Sequence, residues 1–201
     1  MATLFLFQKN AYIHIIMANN FSEIKKGSLL LSEPFMEDPN FKRTVILITE
    51  HEKDGTLGLI LNRPTIFTVN QMIGNFPHFS AFMNYGGPID PERLNFLHAY
   101  PDLISDSFEI IPNVYWNGNF EELKDNVRTK KVLPQNILFF SGYAGWEYEQ
   151  LKEEIKENSW IICNNYKDIF KANKYMWKEI LHEMGGENKL IAEFPTHPSL
   201  N

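Results

Sequence analysis

Two short apolar runs, Val45-Ile46-Leu47-Ile48 and Leu57-Gly58-Leu59-Ile60-Leu61, constrain this chain more than any other feature. Only His51 to Gly55 and their flanks separate them, and Asp54-Gly55 supplies residues that tolerate the positive φ of a tight turn. A separation that short joins antiparallel neighbours, so the pair reads as a hairpin of strands Arg43 to Glu50 and Leu57 to Leu61. Apolarity without alternation predicts strands covered on both faces. Gly58, inside the second run, predicts a bulge or a close backbone approach. A third strand, Gly27 to Ser32, precedes the hairpin and stops at Glu33-Pro34, because proline cannot join an interior ladder.

Further along, Phe82 to Tyr85, Leu94 to Ala99, Phe108 to Tyr115, Ile137 to Phe140 and Ser159 to Cys163 read as strands, with a short helical turn at Thr68 to Ile73. Asn119 opens a helix, with Glu122 three residues on in a capping-box-like pair and Phe120, Leu123 and Val127 on one face. Trp146 to Asn158 is a second helix, turning Tyr148, Leu151 and Ile155 inward. Tyr166 to Met184 is a third, with a break near Asn173, an apolar stripe through Trp177, Ile180 and Leu181, and a stop at Gly185-Gly186. Strands dominate the first half and helices gather in the second, which argues an α+β fold with at least part of its sheet antiparallel.

At 201 residues and 44% hydrophobic, the chain suits one domain that needs neither disulfide nor metal to fold. Residues 1–16 read as an N-terminal tail ahead of a second start at Met17, with 17–201 as the domain. Their charge sits mid-segment at Lys9, unlike a secretory signal. The one cysteine, Cys163, cannot form an internal disulfide; with no apolar run long enough for a membrane span, a cytoplasmic, membrane-free protein is expected. A net charge of -6 and the absence of Lys and Arg between Leu94 and Leu123 disfavour binding to nucleic acid.

The segments GSLLLSEPFMEDPNF, VILITEH, DGTLGLILNRP, NYGGPI with LNFLHAY, ILFFSGYAGWEYEQLKEEIKENSW, MWKEILHEMGG and FPTHPSLN occur in order from Gly27 to Asn201. Together they resemble the AlgH/YqgE family of bacterial proteins. The resemblance implies a single α+β domain with a bent or branched, mainly antiparallel or mixed sheet of partial barrel character, flanked by helices. It also implies a cytosolic protein; some members carry the label of transcriptional regulator, and no reaction attaches to the family. The chain departs from it after Trp146, where Glu147-Tyr148 stands in place of a frequent Gly-Pro pair.

Ser141 to Trp146 (SGYAGW) lies between an apolar strand and a helix. Read as a strand-to-helix turn, its backbone amides at Gly142, Tyr143, Gly145 and Trp146 form a candidate ligand site for a small anion, which Arg63 of the Asn62-Arg63-Pro64 segment could join. A tight packing turn and an internal salt bridge of Arg63 are the structural alternatives. No dinucleotide, phosphate-loop or nucleophile-elbow motif is present, and the six histidines form no metal-ligand pattern, so neither cofactor nor metal is expected. Lys167, Lys171, Lys174 and Lys178 would lie along one face of a continuous helix, where a solvated face is the plainer account and phosphate contact the sharper one. Three functions follow in order: a non-enzymatic regulatory or adaptor protein acting through a protein partner or as a homo-oligomer, a small-anion or small-ligand binder, and a DNA-binding protein using the lysines.

Overall fold

The structure is a computed structural model that describes residues 23–166 and 168–195. The tail at residues 1–16, Met17, Lys167 and the end of the FPTHPSLN segment lie outside the described residues. Ten strands form one branched sheet that does not close. β1 (Leu29–Ser32) pairs antiparallel with β2 (Val45–Glu52), and β2 with β3 (Gly55–Ile60). The expected hairpin forms, and Gly58 fits its prediction twice. It sits opposite Ile48 beside a register shift, and a Cβ there would lie 2.6 Å from Ile46 Cγ2.

The branch lies at the ten-residue strand β9 (Ile137–Trp146). One edge of β9 pairs antiparallel with β6 (Ile89–His98). Its first half also carries β5 (Phe82–Tyr85) in parallel, and its last three residues carry β3 antiparallel. From β9, one arm runs through β3, β2 and β1 to β10 (Trp160–Cys163), and another ends at β4 (Pro64–Thr68) on β5. Beyond β6 the sheet continues through β8 (Val114–Trp116) to β7 (Phe108–Ile111). That end curls back toward β1: a Cβ on Gly27 would lie 2.3 Å from Ile111 Cγ2.

The unbroken apolar runs are explained by burial on both sides. Leu29, Leu31, Leu47 and Leu59 point into one core, covered by α4 (Met176–Met184) through Trp177, Ile180 and Leu181 and by α5 (Asn188–Ala192) through Ile191. Leu30, Ile46, Ile48 and Ile60 point the other way, under Leu151 and Ile155 of α3 (Tyr148–Lys156). A third core joins Phe139 of β9 and Phe96 of β6 to Val69 of α1 (Val69–Met72) and Leu123 and Val127 of α2 (Phe120–Arg128). Period-two alternation therefore decides which core each side chain enters, although every position is apolar.

Several boundaries move. Asn119 caps α2 through its side-chain oxygen, which accepts from the amides of Glu121 and Glu122 at 3.1 and 3.2 Å. Glu122 accepts instead from the Ser105 amide at 2.7 Å, so the reciprocal half of the box is spent on anchoring the preceding loop. Phe108 to Tyr115 is two strands of a hairpin, with Asn113 at φ +67 in its turn. Tyr166 to Met184 is not one helix: a single 3-10 turn at Ile169–Lys171 precedes α4, and Asn173 caps the loop between them through the Tyr175 amide at 2.7 Å. β4 has no counterpart in the sequence reading, because a strand opening on proline and alternating poorly carries no strand signal.

Candidate functional site

The SGYAGW segment is not a strand-to-helix turn. Residues 141–146 continue β9, and α3 starts only at Tyr148 behind a Glu147 N-cap. Tyr143 faces Ile89 across the ladder, while Gly145 and Trp146 face Leu57 and Thr56. Gly142 stands at φ +71, and a Cβ there would lie 2.6 Å from the Gly87 carbonyl oxygen and 2.8 Å from that of Ile89. The close approach it permits is thus to another stretch of this chain. Arg63 is half-buried; it donates from Nη2 to the Lys42 carbonyl, and burial lowers its pKa. Arg93 lies over the Tyr143 ring, 5.3 Å from its centroid.

Trp146 is tied into the fold by its side chain. Its indole N–H donates to Glu154 Oε2 at 2.8 Å, and Trp160 donates to the same oxygen at 2.7 Å, the two rings meeting edge to face. Of the described lysines in the expected stripe, Lys171 pairs with Asp168 at 2.8 Å and Lys178 with Glu193 at 2.8 Å. Lys174 lies over the Tyr175 ring. The break between the 3-10 turn and α4 removes the single helix face on which the spacing argument rested.

Two surfaces stand out that the residue patterns did not mark. The first is a cleft of about 630 Å³ between the tip of the β2–β3 hairpin and the β7–β8 hairpin, which Trp146 lines and Arg63 does not. Its rim carries Glu50, Glu52 and Asp54 against Lys26, and its wall carries Phe108 and Trp116, ring centroids 6.3 Å apart. His51 also borders it; Nδ1 lies 2.7 Å from Thr56 Oγ1, the ring stacks on Tyr148, and burial lowers its pKa against the opposing pull of Glu52. The wall and the rim come from hairpins more than fifty residues apart in sequence, so no local pattern could join them.

The second surface is the β4–β5 arm. Between Pro64 and Thr68 β4 advances four residues while β5 advances two, from Asn84 to Phe82, so residues 65–67 arch outward. Ile66 is 83% exposed, Phe67 50%, Phe82 54% and Met72 of α1 47%. Beside them runs an open groove of about 640 Å³ bordered by Met72, Leu94, Phe96 and Phe120 and also by Glu92 and Asn117. A readable signal accompanied this surface: from Pro64 to Ile89 the chain has no Asp, Glu, Lys or Arg, although 22% of the whole is charged.

Among the described residues no helix is long and apolar enough to cross a membrane. Comparison with known proteins places the chain. A UPF0301 protein of Pelodictyon phaeoclathratiforme is 38% identical over 187 residues, covering 92% of this chain and all of the relative. One from Cytophaga hutchinsonii is 36% identical over 181 residues, covering 89% and 100%. Among solved structures, the DIP2367 protein of Corynebacterium diphtheriae superposes with a TM-score of 0.73 at 21% identity, covering 91% of this chain and 98% of that one. The AlgH protein of Pseudomonas aeruginosa superposes at 0.66 and 24%, covering 90% and 100%, so both share the fold. With a family model described as AlgH-like (DUF179) matching residues 29–189, the chain belongs to the AlgH-like family.

Proposed function

We propose that this AlgH-like protein is a non-enzymatic protein of the regulatory or adaptor class, acting through protein contact, and that a second copy of the chain occupies the β4–β5 arm. The observation that carries this reading is the uncharged apolar arch at Ile66 and Phe67 beside a groove of mixed polarity that Met72, Leu94, Phe96 and Phe120 border. Buried aromatic and aliphatic anchors entering a pocket are the usual source of interface energy. A chain of net charge -6 repels its own copies over most orientations, and the uncharged stretch from Pro64 to Ile89 adds nothing to that repulsion on this arm. The arch and groove adjoin, since α1 follows β4 directly, so a two-fold axis lets each copy's arch enter the other's groove.

Area supports the same reading. Taking roughly 200 Å² for a fully exposed large side chain, the four exposures leave on the order of 470 Å² of apolar surface per copy. That matches the largest patch a monomer leaves exposed, about 300–600 Å², and two such patches supply about 940 Å² of the roughly 1,200 Å² at which specific interfaces begin.

Light scattering on size-exclusion peaks tests this. At about 50 μM the full chain is expected near twice its 23.5 kDa mass, and Ile66→Asp near 23.5 kDa with an unchanged circular dichroism spectrum. A wild-type chain at 23.5 kDa at every concentration to about 200 μM, or a variant that keeps the doubled mass, overturns the reading.

A further inference from the structure

One wall of the groove beside the β4–β5 arm is built by a break in the sheet. β6 pairs with β9 at Ile89 opposite Tyr143 and again at Leu94 opposite Ser141, so β6 advances five residues while β9 advances two. Residues 90–93 therefore leave the ladder, and Asp90 takes φ +46 at the start of the excursion. Glu92, exposed on that excursion, lines the groove. Among the described residues that line it, Glu92 alone carries a charge.

The cations next to the groove are engaged elsewhere. Arg93 lies over the Tyr143 ring, and Lys124 of α2 pairs with Glu121 at 2.6 Å while lying over the Phe120 ring. Glu92 forms no ion pair among the described residues. The arch that enters the groove of a second copy offers nothing to match this charge. Thr65, Ile66 and Phe67 are uncharged, and no lysine or arginine occurs from Pro64 to Ile89. Arg63, just ahead of β4, already donates to the Lys42 carbonyl, and His78 lies outside the arch. A carboxylate moved from water into an apolar contact without a partner loses hydration that nothing replaces.

We propose, given the contact between copies at this arm, that Glu92 determines its specificity: the carboxylate opposes entry of an uncharged arch and favours entry of one that carries an amine or guanidinium. Two carboxylates, one from each copy, are enclosed per pair, and they keep the association of copies weak. An apolar anchor beside a cation is the partner chemistry that the groove fits best.

Sedimentation velocity on the full chain and its variants measures the dimer Kd, at about 0.05 M salt so that charge effects are little screened. Glu92→Gln is expected to tighten the dimer at least about tenfold, since two carboxylates are relieved per pair. Glu52→Gln removes the same net charge at the exposed tip of the β2–β3 hairpin, away from the groove, and is expected to change Kd less than about twofold. A charge cycle then tests the contact itself. Thr65→Lys places a cation on the arch, and Thr65→Met places a neutral side chain of similar length there. With Glu92 present the lysine variant is expected to dimerise at least about fivefold more tightly than the methionine variant, and in the Glu92→Gln background the two are expected to agree within about twofold.

A Glu92→Gln dimer with a Kd within about twofold of wild type overturns the proposal. So does an equal tightening by Glu52→Gln, or an equal effect of the added lysine in both backgrounds. In each of these cases the wild-type dimer remains and the reading of the arm as a contact between copies survives. Wild type and every variant staying at 23.5 kDa to about 200 μM overturns both.

Discussion

Glu154→Ala is the most informative single perturbation of the fold. The Glu154 carboxylate accepts two indole N–H groups through Oε2, from Trp146 at 2.8 Å and Trp160 at 2.7 Å, and a Gln150 amide through Oε1 at 2.9 Å. Both tryptophans are buried in the core under α3, so deleting the carboxylate strips an acceptor from two buried donors. Each such loss costs about 1–3 kcal/mol. Trp146 lies nearer the surface and a water can replace part of its bond, which brings the expected total to about 3 kcal/mol. For a chain of this size that lowers Tm by roughly 6–12 °C. Helix propensity adds little, since Ala and Glu are both good helix formers. Glu154→Gln keeps a carbonyl acceptor and loses the charge, so about 1 kcal/mol is expected. Urea unfolding at 25 °C, followed by tryptophan fluorescence and far-ultraviolet circular dichroism, measures the shift in midpoint at constant m-value. Adding Trp160→Phe in the Glu154→Ala background should cost about 1–2 kcal/mol less than in the wild type, because the pair is coupled. A Glu154→Ala chain within about 0.5 kcal/mol of wild type, or strict additivity in the cycle, would refute the clamp.

Three further outcomes follow. His98 is buried; Nε2 lies 2.9 Å from the Asn117 carbonyl oxygen and Nδ1 accepts from the Tyr100 amide at 3.1 Å, so the ring is held neutral, with burial lowering its pKa. The unfolded chain therefore takes up the proton first: the stability is full above about pH 6.5 and falls toward pH 5 by up to about 1.4 kcal/mol per unit from this group, and a flat midpoint over pH 5–7 in urea would contradict the assignment. Gly142→Ala, at φ +71 and 2.6 Å from a carbonyl oxygen, should cost about 2 kcal/mol or more, whereas Gly74→Ala, with nothing within 4 Å of its added Cβ, should change little in the same assay. Asn119→Ala removes the oxygen that caps α2 and should cost about 1 kcal/mol, with loss of protection of the Glu121 and Glu122 amides in hydrogen exchange.

Much of the fold was legible because its strongest signals are local. The Asp54-Gly55 turn joins the two runs it separates, and the stripe of Trp177, Ile180 and Leu181 covers the core those runs create. What stayed hidden depended on pairing across the sheet. Nothing in Ile137 to Trp146 distinguishes a strand that ends at Phe140 from one that runs on to serve three neighbours. Glycine and aromatic content favoured a turn; three ladders kept the strand extended, since tertiary pairing outweighs local preference.

The candidate sites divide along the same line. The glycines of SGYAGW read as a turn open to a small ligand, and the chain itself fills that place: Gly86-Gly87 crosses Gly142 and Tyr143 so tightly that a Cβ on Gly87 would lie 2.1 Å from the Tyr143 carbonyl carbon. Two glycine clusters more than fifty residues apart thus answer each other, and the sequence showed both without showing that they meet. Trp116 is the opposite case. Its type was readable, though the strand read over Phe108 to Tyr115 stopped one residue short of it; whether an indole N–H finds an acceptor is a property of everything that surrounds it after folding, and three of the four tryptophans do. A residue pattern can therefore point to where backbones crowd, while an unmet hydrogen bond emerges only once every neighbour has been placed.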